Sequence, residues 1–82
     1  MSNEQEYLTK INSGDPISVA EVVRDLYKDP AISEQTYSER QMYDFAMSRL
    51  SSEYAAVHAI QEKEAQSQIE SILRSKAVKS DA

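Results

Sequence analysis

The sequence predicts an all-α fold, a compact bundle of four to five helices with one long helix, and three observations carry that expectation. One glycine and two prolines in 82 residues leave few places where a hairpin could turn. Residues that favour helices, Ala, Glu, Gln, Arg and Leu, are plentiful. Apolar residues recur at the three-to-four spacing of a helix face along most of the chain. A chain of this length holds one domain at most and buries only about 60% of the surface its unfolded form exposes, so a deep catalytic cleft is not expected.

Tyr7, Leu8 and Ile11 lie one helical turn apart and give a first helix over residues 3–13 with one narrow apolar stripe. Gly14 stops it, because glycine takes the left-handed conformation past a helix end at little cost. Two caps compete for the second helix: Asp15 with Pro16 at the first helical position, or Ser18 in a capping box with Glu21 while Ile17 staples onto Val22. Val19, Val22, Val23, Leu26 and Tyr27 then form its apolar face, and Pro30 marks its end.

A connection over residues 29–37 has room for a short helical turn around Ser33. Thr36 and Glu39 form a second capping box, with Ser38 and Gln41 as a shifted alternative. From there Met42, Tyr43, Ala46, Met47, Leu50, Tyr54, Val57 and Ile60 carry an apolar stripe along a long helix over 37–60. A fourth helix over 62–75 shows Ala65, Ile69, Ile72 and Leu73 on one side, with Glu70 and Arg74 as an i, i+4 pair. The expected organisation is a helical domain over 1–75 and a flexible tail over 76–82.

Fourteen acids against nine bases give a net charge of −5, which on charge alone makes a free-standing nucleic-acid binder a poor expectation. Any phosphate contact must come from a local cluster of Lys and Arg. The chain has no cysteine, hence no disulfide framework or thiolate metal site, and no apolar run long enough to span a bilayer. No signal peptide is visible, and the expected location is the cytoplasm.

His58, the only histidine, has no acid or hydroxyl beside it in a catalytic spacing and reads as a surface or boundary residue. Glu62, Glu64 and Glu70 lack a Glu-x-x-His pattern and read as a solvated face rather than metal ligands. There is no Gly-rich phosphate loop and no G-x-S-x-G motif. Neither an enzyme, a catalytic residue, a metal nor a cofactor is expected. Tyr7, Tyr27, Tyr43 and Tyr54 fall on apolar stripes as core or core-edge residues, whereas Tyr37 sits at a helix start where it staples onto Met42 or stacks on a partner.

The stretch SGDPISVAEVVRDLY at residues 13–27, followed after a gap by YSERQMY at 37–43, resembles the C-terminal domain of the CarD/CdnL family of bacterial transcription regulators. Its members carry SGD, then AEVVRDL, then a capping position and an E-R or E-K pair at similar spacing, and the resemblance covers residues 7–74. It implies a factor whose N-terminal Tudor-like domain binds the β subunit of RNA polymerase and whose helical C-terminal domain touches promoter DNA at the upstream edge of the melted region. Such factors stabilise the open complex, often at ribosomal RNA promoters. By that resemblance the chain is the second domain, a monomer that reaches RNA polymerase through an N-terminal domain absent from this chain, without a membrane.

The family's wedge tryptophan aligns just before residue 1, and the chain has no Trp. Arg40 matches the basic position after the Glu of the second motif and is the first candidate for DNA contact; Lys10 matches a Lys near the end of the first helix and is the second. Arg24 and Lys28 complete the candidate set. Solvated surface charge is the competing reading for all four, and Arg24 has Glu21 within reach across one turn. Two other classes remain: a helical protein-interaction module that docks a partner along the long helix, and a structural domain with no DNA contact of its own.

Overall fold

The computed structural model describes residues 3–81, with side chains over residues 4–76. Among the described residues the chain forms four helices and no strand: α1 (Asn3–Ile11), α2 (Pro16–Leu26), α3 (Tyr37–His58) and α4 (Glu62–Asp81). At about 1.5 Å per residue α3 is roughly 33 Å long, which matches the longest extent of the molecule, 34 Å. The other three helices pack on it, α2 most extensively.

The first break follows from local chemistry. α1 ends at Ile11, two residues before the expected end, because Ser13 folds back: its Oγ donates to the Lys10 carbonyl at 2.7 Å and accepts the Asp15 N–H at 3.1 Å. Gly14 follows at φ +82° with open space where a Cβ would stand, so the turn needs its backbone freedom and not its small size. Of the two competing caps, Asp15 forms: its Oδ1 accepts the Ile17 N–H at 3.1 Å and its Oδ2 accepts the Ser18 hydroxyl at 3.1 Å, with Pro16 at the first position. The Ser18 hydroxyl is thereby used inside the helix. Glu21 turns to Lys10 instead, and Ile17 stays 71% exposed, so no staple onto Val22 forms.

α2 stops at Leu26, before Pro30, where Tyr27 turns extended and the Gln35 amide donates to the Leu26 carbonyl at 2.6 Å. Asp29 then organises a single turn. Its Oδ1 accepts the Ala31 N–H at 3.0 Å, and its carbonyl accepts from Ile32 and Ser33 at 2.9 and 3.0 Å. The Thr36 capping box opens α3 as expected, with Thr36 Oγ1 accepting the Glu39 N–H at 3.1 Å and Glu39 Oε1 accepting the Thr36 N–H at 3.0 Å. α3 closes on Ala59 in the left-handed region at φ 56°, an uncommon conformation for a residue with a Cβ.

The core lies where α1 and α2 meet α3. Ile11, Val22 and Val23 are fully enclosed, with Val19, Leu26, Met42, Tyr43, Ala46, Met47 and Ile69 around them. Each of the Ile, Val, Leu and Met side chains among them contributes about 1.5–3 kcal/mol by leaving water, more than the few tenths that each valine loses in helix propensity. Burial pushes the Tyr43 phenol up to about 12, with the Glu70 carboxylate adding to the shift. Small residues, Ser51 and Ala55 on α3 and Ala65 on α4, line the second seam.

Four expected features differ. Val57 and Ile72 lie substantially exposed, because the stripes on α3 and α4 extend past the surfaces that cover them. Tyr37 is 80% exposed and accepts the Gln41 amide at 2.7 Å rather than stapling onto Met42. Glu70 accepts from Gln66 and makes no described pair with Arg74. The helix assignment of α4 continues through Asp81, past residue 75, while the side chains of the expected tail lie outside the described residues from 77 onwards.

Candidate nucleic-acid interface

Helix geometry places the candidate cations before any contact is considered. On α2, Glu21, Arg24 and Asp25 fall opposite the buried Val19, Val22, Val23 and Leu26, so the helix turns a charged edge outward. Lys28 leaves just past the end of α2 and reaches Glu39 at the start of α3. Arg40 is next to Glu39 on α3. The structure therefore brings Lys28 to Glu39, next to Arg40, at the junction of α2 and α3, whereas Arg24 stands on the outer edge of α2, one turn from the Glu21 that holds Lys10.

Every one of the four carries a carboxylate partner. Lys10 Nζ meets Glu21 Oε1 at 3.2 Å, Arg24 meets Asp25 at 3.2 Å, Lys28 Nζ meets Glu39 Oε1 at 3.0 Å, and Arg40 Nε meets Asp44 Oδ2 at 3.5 Å. Arg24 thus takes its sequence neighbour and not Glu21, which α1 occupies through Lys10.

The four pairs differ in kind. Lys28 is half-buried and joins two helices through a carboxylate that also closes the α3 cap, so Glu39 serves the fold twice. The Thr36 backbone N–H, and after it the Lys28 ammonium, holds the Glu39 carboxyl below its ordinary range. Lys10 and Glu21 tie α1 to α2. Arg24 and Arg40 are 66% and 68% exposed at the side chain, and their pairs are local to one helix. Exposed pairs of this type are worth about 0.3–0.5 kcal/mol, little enough for a phosphate to displace. The accessible contacts are therefore Arg40 and Arg24, while Lys28 is primarily a strut.

The i, i+4 spacing of Arg40 and Asp44 is a local signal that went unread in the sequence, while Lys10–Glu21 and Lys28–Glu39 each span a loop and carry no local signal. A further cation, Arg49, lies over the Phe45 ring at 5.3 Å, on the same helix as Arg40. His58 stacks near Tyr54, with ring centroids 4.2 Å apart. Among the described residues no group of three or more His, Asp or Glu is arranged to hold a metal ion, and no helix is long and apolar enough to cross a membrane.

An apolar groove runs between α2 and α4, and Arg24, one of the candidate cations, lies on its edge together with Glu21. Ile17, Ala20 and Val23 form one wall, Ile69, Ile72 and Leu73 the other, and Leu50 of α3 the floor.

Comparison with known proteins gives one match. The family model described as CarD, C-terminal domain, matches residues 3–70, which takes in all of α1, α2 and α3 and the first half of α4. Among the curated proteins and the solved structures, nothing matches.

Proposed function

Because the chain belongs to the CarD C-terminal-domain family, we propose that it is a non-enzymatic domain that contacts promoter DNA and helps stabilise the RNA polymerase open complex. The match over residues 3–70 carries this reading. Arg40 and Arg24, the two most exposed of the four candidates, are the side chains that meet the DNA backbone, and they need only a basic group within reach of a phosphate. The rigid base on which they stand is the α2–α3 contact.

An acidic domain does not gather DNA by its own field. Its contact becomes effective when RNA polymerase holds the promoter beside it, because tethering turns a weak encounter into an intramolecular one. The domain acts in the cytoplasm as a monomer, with polymerase engaged through a separate domain. A factor carrying this domain is expected to lengthen the lifetime of polymerase–promoter open complexes challenged with competitor DNA, and Arg40→Glu is expected to shorten that lifetime without loss of helical CD. An unchanged lifetime for Arg40→Glu would remove Arg40 from the reading.

The groove between α2 and α4 supports a second reading, a protein-docking module with no DNA contact. Recovery of a protein partner that depends on Ile17 and Ile72, with open-complex lifetime indifferent to Arg40, would favour it.

A further inference from the structure

The guanidinium groups of Arg40 and Arg24 each already face a carboxylate. Arg40 is engaged by Asp44 one turn further along α3, and Arg24 by its neighbour Asp25. Both carboxylates are themselves solvent-facing, and neither makes another hydrogen bond that would commit it to the fold among the described residues. Glu39 and Glu21 differ, since one closes a cap and the other joins two helices.

The geometry points to Asp44 and Asp25 as residues that limit the affinity for DNA: each holds part of a guanidinium that a phosphate would use, Arg40 through Nε at 3.5 Å and Arg24 through Nε and one terminal nitrogen, so a phosphate gains its full contact by carboxylate-for-phosphate exchange. This rests on the reading of Arg40 and Arg24 as phosphate contacts. Two effects act in the same direction. The arginine must leave its pair, and the released carboxylate stays within a few ångströms of an incoming phosphate of like charge. Neither effect is large at an exposed site, and salt screens both. Together they place a low ceiling on the affinity of the free domain while leaving the tethered contact usable, because a high local concentration overcomes a small penalty.

The consequence is opposite to the usual effect of altering a binding surface: removing side-chain charge next to the contact strengthens it. Asp44→Asn and Asp25→Asn are each expected to tighten binding of the 82-residue chain to a short fluorescein-labelled duplex by about two- to four-fold at low salt, and the double variant by about ten-fold. Glu53→Gln with Glu64→Gln changes the net charge by the same amount away from the two arginines and is expected to tighten binding by less than half as much. In an Arg40→Gln background, Asp44→Asn is expected to tighten binding no more than either remote substitution alone, since the group it releases is gone.

NMR titration reads these affinities even where they are weak. If Arg40→Gln weakens binding but Asp44→Asn and Asp25→Asn do not strengthen it, or the remote control strengthens it equally, the exchange is overturned while the DNA contact stands. If no variant, the double included, responds to duplex at all, both the exchange and the DNA reading fall together.

Discussion

Ser51 shows how much a single side chain reveals once its neighbours are known. It is 2% exposed on α3, against the seam with α4, and its hydroxyl finds no protein partner among the described residues. A buried unpaired hydroxyl is unfavourable, and Ser is a weaker helix former than Ala. Ser51→Ala is expected to raise stability by about 0.5–1 kcal/mol, read as a higher urea midpoint at unchanged slope; a lower midpoint would mean that the hydroxyl is satisfied. The sequence gives no warning of this residue, because a serine at this position reads as another polar interruption of the stripe. Asp15 was the reverse case: its cap was visible beside Pro16, yet Ser18 competed on equal terms until the Ser18 hydroxyl was seen donating to Asp15.

Individual helices are held at their ends, and the start of α3 is the most tightly organised of them. Thr36 and Glu39 exchange hydrogen bonds, and Lys28 locks Glu39 from the preceding connection. Thr36→Ala is expected to lower stability by about 1 kcal/mol, or roughly 4–8 °C in Tm. Glu39 adds a pH dependence of definite sign. Its folded pKa is depressed, so its contribution is present above the ordinary carboxylate pKa and is lost as pH falls through the lower folded value. Glu39→Gln should therefore be less stable than the native chain at neutral pH and equal to it in acid, and a gap that widened on acidification would reverse the assignment. T-x-x-E was legible because a capping box is a local pattern. The same carboxylate's bond to Lys28 was not, since it depends on how α2 and α3 pack.

For the whole molecule, the four helices fall within the expected four to five, and glycine, proline and the spacing of apolar residues mark their breaks, but α4 at 20 residues is nearly as long as the 22-residue α3, so the expectation of one long helix holds only in part. Charge was less legible. Four basic positions could be singled out, but their carboxylate partners came mostly from folding: three helices and a connection bring Lys10 to Glu21 and Lys28 to Glu39. The result is a molecule of net charge −5 whose two most exposed candidate cations, Arg24 and Arg40, are each restrained by a carboxylate. Arg40 and Arg24 are expected to meet DNA only weakly unless polymerase has already brought the duplex to them. The direct measurement is an NMR titration of the isolated chain with promoter duplex at several salt concentrations. Weak shifts centred on Arg40 and Arg24 that fade as salt rises are the expected result; tight binding that resists salt, or shifts confined to Ile69, Ile72 and Leu73 on the α4 wall of the groove, would contradict it.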